Sequence, residues 1–311
     1  MPVFSEFTFK SATAVNDIFV RKCVPDGDVR GVVQIAHGIA EHSGRYTEFM
    51  RILAENGFVV AANDHLGHGQ SAKSEDEKGF FAASDGWSYV VWDMVKLHDI
   101  MAAEYPGLPY IMFGHSMGSF LTRNYLIDYP DKYDFAIISG TGHQSPLLVN
   151  AGLLMGNALV KANGAKGDGQ KLNDIAFGSY LARIPDAKTP FDWLSRDSAK
   201  VAEYIADPMC GFVCRISLYR DMMQGIRYIT NRANIAKMDK DKPVYFMSGD
   251  ADPVGDYGVG VDRAYKAFCR AGLKDVFMRL YPDGRHEMLN ELNREFVYID
   301  ILEWLNGKLA K

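Results

Sequence analysis

The chain has 311 residues, 23% of them charged and 48% hydrophobic, so it can bury a large α/β core and is too balanced for a disordered or membrane-embedded class. Its 34 basic and 39 acidic side chains leave a formal charge of −5 with no basic block, which argues against nucleic acid as the main partner. Four cysteines, Cys23, Cys210, Cys214 and Cys269, are too sparse for a disulfide scaffold and fit a reducing compartment.

The opening Met1-Pro2-Val3-Phe4-Ser5-Glu6 has no basic segment followed by an apolar one, and no run approaches the roughly 18 apolar residues of a membrane span. A cytoplasmic location is the expectation. Residues 4–10 and 17–24 read as two strands joined at Asn16-Asp17, an antiparallel edge. Val32-Val33-Gln34-Ile35-Ala36 is the first strand buried on both faces, and it empties into His37-Gly38-Ile39-Ala40 before a helix over 44–56. A strand over Phe58 to Asn63 follows, then the glycine-punctuated loop Asp64-His65-Leu66-Gly67-His68-Gly69-Gln70-Ser71 and a helix from about Asp85 to Glu104.

The apolar run from Tyr110 to Phe113 then stops at Gly114-His115-Ser116-Met117-Gly118 and continues into a helix closed by Pro130. This is the pattern of a nucleophile elbow. Two glycines flanking Ser116 permit a turn tight enough to lift its hydroxyl from the sheet, and the next helix aims its first N–H groups at the same spot. After the strand Phe135 to Ser139 the alternation breaks. Residues 141–242 show helical periodicity, glycine and proline breaks and no strand, as expected for an inserted helical cap between core segments 1–140 and 243–311. Its apolar residues, among them Phe177, Tyr180, Leu181, Phe191, Trp193, Phe212, Tyr219, Met222 and Met223, read first as the cap's own core. Cys210 and Cys214 are spaced to share a helix face and, with no histidine close in sequence, read as structural. Strand, helix, strand, helix then resume over 244–248, 259–271, 276–281 and 290–305, giving a mostly parallel sheet flanked by helices.

A serine hydroxyl needs a base, and in this architecture an acid and then a histidine should follow it, each on a loop after a strand. Gly249-Asp250-Ala251-Asp252-Pro253 and Arg285-His286-Glu287 stand at those places. His286 is the base candidate, since His143, the other histidine beyond the elbow, opens the cap; spacing leaves Asp250, Asp252 and Asp256 open as the acid. Backbone N–H groups of Ile39 and Met117 are the expected donors to an oxyanion. His37, His42, His65, His68 and His115 read as loop supports, no metal is expected at Asp64-His65 with His68, and no cofactor is required.

His37-Gly38-Ile39-Ala40-Glu41-His42-Ser43-Gly44-Arg45-Tyr46, the Asp64 to Ser71 loop and the elbow together resemble the α/β-hydrolases of the monoacylglycerol lipase and lysophospholipase type, within the serine aminopeptidase-like family. The resemblance implies an α/β-hydrolase fold with a cap, and a triad of Ser116, Asp252 and His286, the acid falling on the aspartate of G-x-x-D. It also implies that Glu41 and Arg45 lie near the alcohol end of the substrate. Ile39-Ala40 departs from the usual Ala-Gly of the lipases, and Ser119 replaces a usual glycine. The expected activity is hydrolysis of a small lipid-like ester, monoacylglycerol or lysophospholipid, through an acyl-enzyme, with the Leu-rich start of the cap making peripheral membrane contact. Short-acyl esterase or thioesterase, aminopeptidase-like peptidase and a non-catalytic ligand-binding module are the alternatives.

Overall fold

Short runs of β-branched and aromatic residues ended by turn formers set the strands, and the apolar stripes between them set the helices that cover both faces. The computed structural model describes residues 1–310. In chain order the core contains β1 (Val3–Lys10), β2 (Asp17–Val24), β3 (Gly31–Ala36), α1 (Thr47–Glu55), β4 (Phe58–Asn63), α2 (Gly86–Glu104), β5 (Tyr110–His115), α3 (Met117–Asp128) and β6 (Phe135–Ser139). Five helices follow: α4 (Pro146–Asn163), α5 (Gln170–Phe177), α6 (Ser198–Ala206), α7 (Ile216–Thr230) and α8 (Arg232–Ile235). The chain closes with β7 (Val244–Gly249), α9 (Val259–Arg270), β8 (Val276–Tyr281) and α10 (Arg294–Leu309).

The strands form one sheet in the order β1-β2-β4-β3-β5-β6-β7-β8. The β1–β2 and β2–β4 pairs are antiparallel and all later pairs are parallel. This is the α/β-hydrolase architecture. Alternation along β3 sends Val33 and Ile35 to a core shared with Phe49 and Leu53 of α1 and Val297 and Ile301 of α10. Val32 and Ala36 face the opposite core, with Val90 and Met94 of α2 and Leu121 of α3. All parallel crossovers therefore leave β3 and β5 sandwiched, and the loops at their carboxyl ends meet at one rim.

Between β6 and β7 the described residues contain helices and a single isolated bridge, Asp168 to Arg215. The α7 helix seats this segment on the core. A Cβ at Gly225 would stand 2.1 Å from the Trp87 ring of α2, so glycine is what allows that contact. Two expectations are corrected here. Cys210 and Cys214 do not share a helix, because Asp207-Pro208 ends α6 and both thiols lie in the turn before α7. The last helix starts at Arg294 rather than near 290, because Met288–Asn290 forms a 3-10 turn and the Glu291 carboxylate accepts N–H groups from Arg196 and Arg285.

The acid loop and the histidine loop touch at Gly249, where an added Cβ would lie 1.8 Å from the Gly284 carbonyl oxygen. Overpacking of this kind costs about 1–3 kcal/mol. Gly249→Ala is therefore expected to lower the urea midpoint and reduce activity together, whereas an unchanged midpoint would show that the two loops tolerate separation.

Candidate active site

Ser116 sits between β5 and α3 with φ 55° and ψ −121°, a strained conformation for a residue with a side chain. The turn exists because Gly114 and Gly118, two residues to either side, have none. A Cβ at Gly118 would be 2.0 Å from the Ala36 carbonyl oxygen, and one at Gly114 would be 2.3 Å from Thr122 Oγ1. Ser116 N–H donates to the Ser139 carbonyl at 3.0 Å, and the buried Ser119 hydroxyl donates back to the Ser116 carbonyl at 2.5 Å. The serine in place of a glycine at 119 thus pins the elbow.

His286 reaches the same rim from the loop after β8, with its Nδ1 2.9 Å from Asp252 Oδ2. Asp252 is held in turn by the Ser248 hydroxyl at 3.1 Å and the Val254 N–H at 2.8 Å, and it is wholly buried. Asp250 instead points outward to accept Asp283 N–H, and Asp256 is exposed beside Arg263. Among the three aspartates left open by spacing, only Asp252 meets the imidazole. Burial opposes a charged His286, but the Asp252 carboxylate, with Glu287 and Glu41 farther away, outweighs it and holds the imidazole above the ordinary histidine range. His115, whose ring centroid lies 4.6 Å from that of His286, is pushed down to about 4 by burial and by His286. With Nδ1 committed to Asp252, Nε2 is the nitrogen left for Ser116. Ser116 Oγ makes no hydrogen bond among the described residues, and such contacts commonly tighten only when substrate arrives.

The N–H groups of Ile39 and Met117 donate to no acceptor among the described residues, as two oxyanion donors require. The loop carrying Ile39 is fixed from beneath by Glu41. Its Oε1 accepts Gly38 N–H at 2.5 Å and the Tyr46 hydroxyl at 2.8 Å, and its Oε2 accepts Arg45 Nη1 at 2.8 Å. Arg45 also grips Glu287 in a bidentate pair at 2.5 and 2.7 Å. Burial works to raise the Glu41 carboxyl, yet Arg45, His115 and His37 hold it down at about 2. Glu41 and Glu287 face the cavity, but Arg45 stands behind them and stacks over Tyr204 with its guanidinium carbon 4.8 Å from the ring centre. Glu287 was not marked by the sequence as a site residue; its only signal was its place next to His286.

A cavity of about 420 Å³ opens over Ser116 and His286, within the usual size of a small-molecule site. Phe177, Leu181, Phe191, Trp193, Phe212 and Tyr219 from the 141–242 segment line it, while Tyr180, Met222 and Met223 do not. Ala40, at φ 51°, is locked to the same segment, its carbonyl accepting Gly211 N–H at 2.9 Å and the Tyr204 hydroxyl at 3.0 Å.

The loop-support role read for the other histidines has partners for each. His37 Nε2 accepts His65 N–H at 2.9 Å, and Asp64 spends its carboxylate on Ser43 and Gln70 N–H groups. Burial pushes His68 down to about 3. The fold does bring one histidine to Cys210: donor atoms of His42, Asp207 and Cys210 lie within 4.8 Å of one another. Their hydrogen bonds account for the grouping. His42 Nδ1 accepts Gly44 N–H, so Nε2 carries the proton directed at Asp207, 2.9 Å away, and burial raises the Cys210 thiol. Neither a free imidazole lone pair nor a thiolate is then offered to a metal.

The family described as serine aminopeptidase, S33 (Hydrolase_4) matches residues 27–293. A monoacylglycerol lipase of Mycolicibacterium smegmatis is 31% identical over 318 residues, covering 98% of both chains. Human monoglyceride lipase is 28% identical over 301 residues, covering 94% of this chain and 88% of its own. The structure of a thermostable carboxyl esterase from Bacillus coagulans in complex with glycerol superposes with a TM-score of 0.92 at 33% identity, covering 99% of each chain.

Two variants test the site's geometry. Asp252→Asn removes the charge that favours the imidazolium, so kcat should fall by about 10⁴. The acidic limb of kcat/KM, expected above the ordinary histidine value in the native chain because Asp252 raises the imidazole, should move to lower pH; an unmoved limb would assign it to another group. Glu41→Gln retains an acceptor for Gly38 N–H but frees part of Arg45. Its kcat should fall about 10–100-fold with KM nearly constant, and affinity for an alkylboronic acid, which mimics the tetrahedral state, should fall in parallel.

Proposed function

The chain belongs to the serine aminopeptidase, S33 family, and from that membership we propose that it is a serine hydrolase of monoacylglycerols or closely related lipid esters. One observation carries the choice of substrate class: the cavity above Ser116 is aromatic and aliphatic on the side of residues 177–219 and carboxylate-lined at Glu41 and Glu287. An acyl chain fits the first side and a hydroxylated alcohol the second. The names of the mycobacterial and human relatives agree with that substrate class.

In this reading Ser116 Oγ attacks the ester carbonyl as His286 Nε2 takes its proton, and Asp252 stabilises the imidazolium. Ile39 and Met117 N–H groups bind the oxyanion, each worth on the order of 2.7–4 kcal/mol. Collapse of the intermediate expels the alcohol, which receives the proton from His286, and leaves an acyl-serine. Water then attacks the acyl carbonyl, giving its proton to His286, and collapse releases the fatty acid as His286 returns that proton to Ser116 Oγ.

Residues 141–242 act here as a cap that closes the acyl side. The outward face of α4 presents Leu147, Leu148, Ala151, Leu154, Met155 and Ala158, with Leu147 82% and Leu154 75% exposed. No described helix is long and apolar enough to cross a membrane. Such a stripe suits contact with a bilayer surface, where the lipid substrate resides. An aminopeptidase would need a carboxylate for the substrate ammonium; Glu41 and Glu287 both spend theirs on Arg45, and Asp174, at the far side of the cavity, accepts from the Gln170 amide.

Hydrolysis of a chain-length series of monoacylglycerols, lysophosphatidylcholines and short aryl esters tests the reading, with Ser116→Ala as control. The expected outcome is highest kcat/KM on medium or long monoacylglycerols, abolished in the variant. Turnover of short aryl esters alone, or of aminoacyl amides in preference, would overturn the lipid assignment.

A further inference from the structure

Away from the catalytic rim, a second cavity of about 780 Å³ lies where residues 141–242 leave and rejoin the core. One wall is His143-Gln144-Ser145-Pro146 at the foot of α4, another is formed by Thr230, Arg232 and Ala236, and α9 makes the third. Its charge is one-sided. Arg232, Arg263, Lys266 and Arg270 line it against a single acid, Asp262, which is bound to Lys266 at 2.6 Å. Arg263, Lys266 and Arg270 recur on one face of α9, and Arg263 has only a long contact of 3.6 Å to the exposed Asp256. Arg232 and Arg270 form no ion pair among the described residues. Behind His143 stands a further cation, the fully buried Arg123, whose guanidinium bonds the Thr141 hydroxyl, the Gly142 carbonyl and His143 Nδ1, with no carboxylate. In a chain of net charge −5, two arginines without an ion pair and a third with only a long one, gathered in one concavity, mark an anion site.

The occupant is indicated by what adjoins it. Ser145 and Pro146 line the cavity, and the next two residues, Leu147 and Leu148, are 82% and 61% exposed at the start of the apolar stripe of α4. We infer that this cavity receives the phosphate headgroup of an anionic phospholipid while Leu147 and Leu148 enter the adjoining acyl layer. The inference rests on the membrane contact proposed for α4 and adds to it a lipid preference. Combined apolar and basic contacts are what a peripheral protein needs for stable attachment, each Lys or Arg near an anionic surface strengthening partition by roughly fivefold. Docking at this point would hold the foot of the cap against the bilayer from which substrate is drawn.

Co-sedimentation of the full chain with vesicles of phosphatidylcholine, alone and mixed with phosphatidylglycerol, tests this. The expected result is at least about tenfold stronger partition to the mixed vesicles, reduced by raised salt and lost in Arg263→Glu/Arg270→Glu. Those side chains are exposed, and turnover of a short soluble ester should be unchanged in the double variant, which checks its fold. Leu147→Ser/Leu148→Ser should weaken binding to both kinds of vesicle. Equal partition of the native chain to the two kinds, or a phosphatidylglycerol preference that survives the charge reversal, would overturn the headgroup site. Loss of binding in the leucine variant alone would leave the membrane reading standing without it. Stabilisation of the chain by glycerol phosphate, lost in the arginine variant and without any vesicle preference, would assign the cavity to a soluble phosphoester and overturn the lipid source.

Discussion

The close approach of α3 to the end of β3 is the constraint on which the site depends. Gly118 lets the first turn of α3 pass against the Ala36 carbonyl, and that passage puts Ser116 beside the loop that follows β3. Met117 N–H, at the helix N-terminus, and Ile39 N–H, on the loop, can then face one carbonyl oxygen from two directions. A side chain at either glycine of the elbow would drive the helix away and separate the two donors. The strain at Ser116 persists because the sheet, Ser139 and Ser119 over-determine its backbone.

The second organising feature is the buried set of Glu41, Arg45 and Glu287. One guanidinium bridges the carboxylate that fixes the oxyanion loop and the carboxylate next to His286, so two loops from opposite ends of the chain are set by one cation. Two carboxylates against one arginine leave a net negative charge near His286, which favours the imidazolium that serine attack generates. Such a cluster is costly to desolvate and strongly destabilising to break, so its place under the catalytic rim fits positioning better than stability. The 141–242 segment joins the same construction. Trp193 and Leu194 carbonyls accept His286 and Glu287 N–H groups, and the Trp193 ring lies 5.1 Å from the imidazole.

Much of this was legible in the sequence because it is local. The elbow, the strand-ending loops and the order serine, acid, histidine are carried by neighbouring residues and by alternating strand and helix patterns. What depends on long-range packing was not. Three aspartates in one loop look alike until Ser248 and Val254 select Asp252. The partner of Arg45 is equally hidden, since Glu287 lies 242 residues away. Likewise His42 meets Asp207 only after the segment carrying Asp207 folds back over the core. Cys210 and Cys214 misled by their spacing, since Pro208 removes the helix that would have aligned them.

The account turns on Ser116 being an activated nucleophile rather than a buried hydroxyl in a binding module. Treatment of the folded chain with an alkyl fluorophosphonate, followed by intact mass and peptide mapping, examines that directly. A single adduct on the peptide carrying Ser116, absent in Ser116→Ala and strongly slowed in His286→Ala, is the predicted result. A folded chain that stays unmodified, or one labelled at another residue, would contradict it.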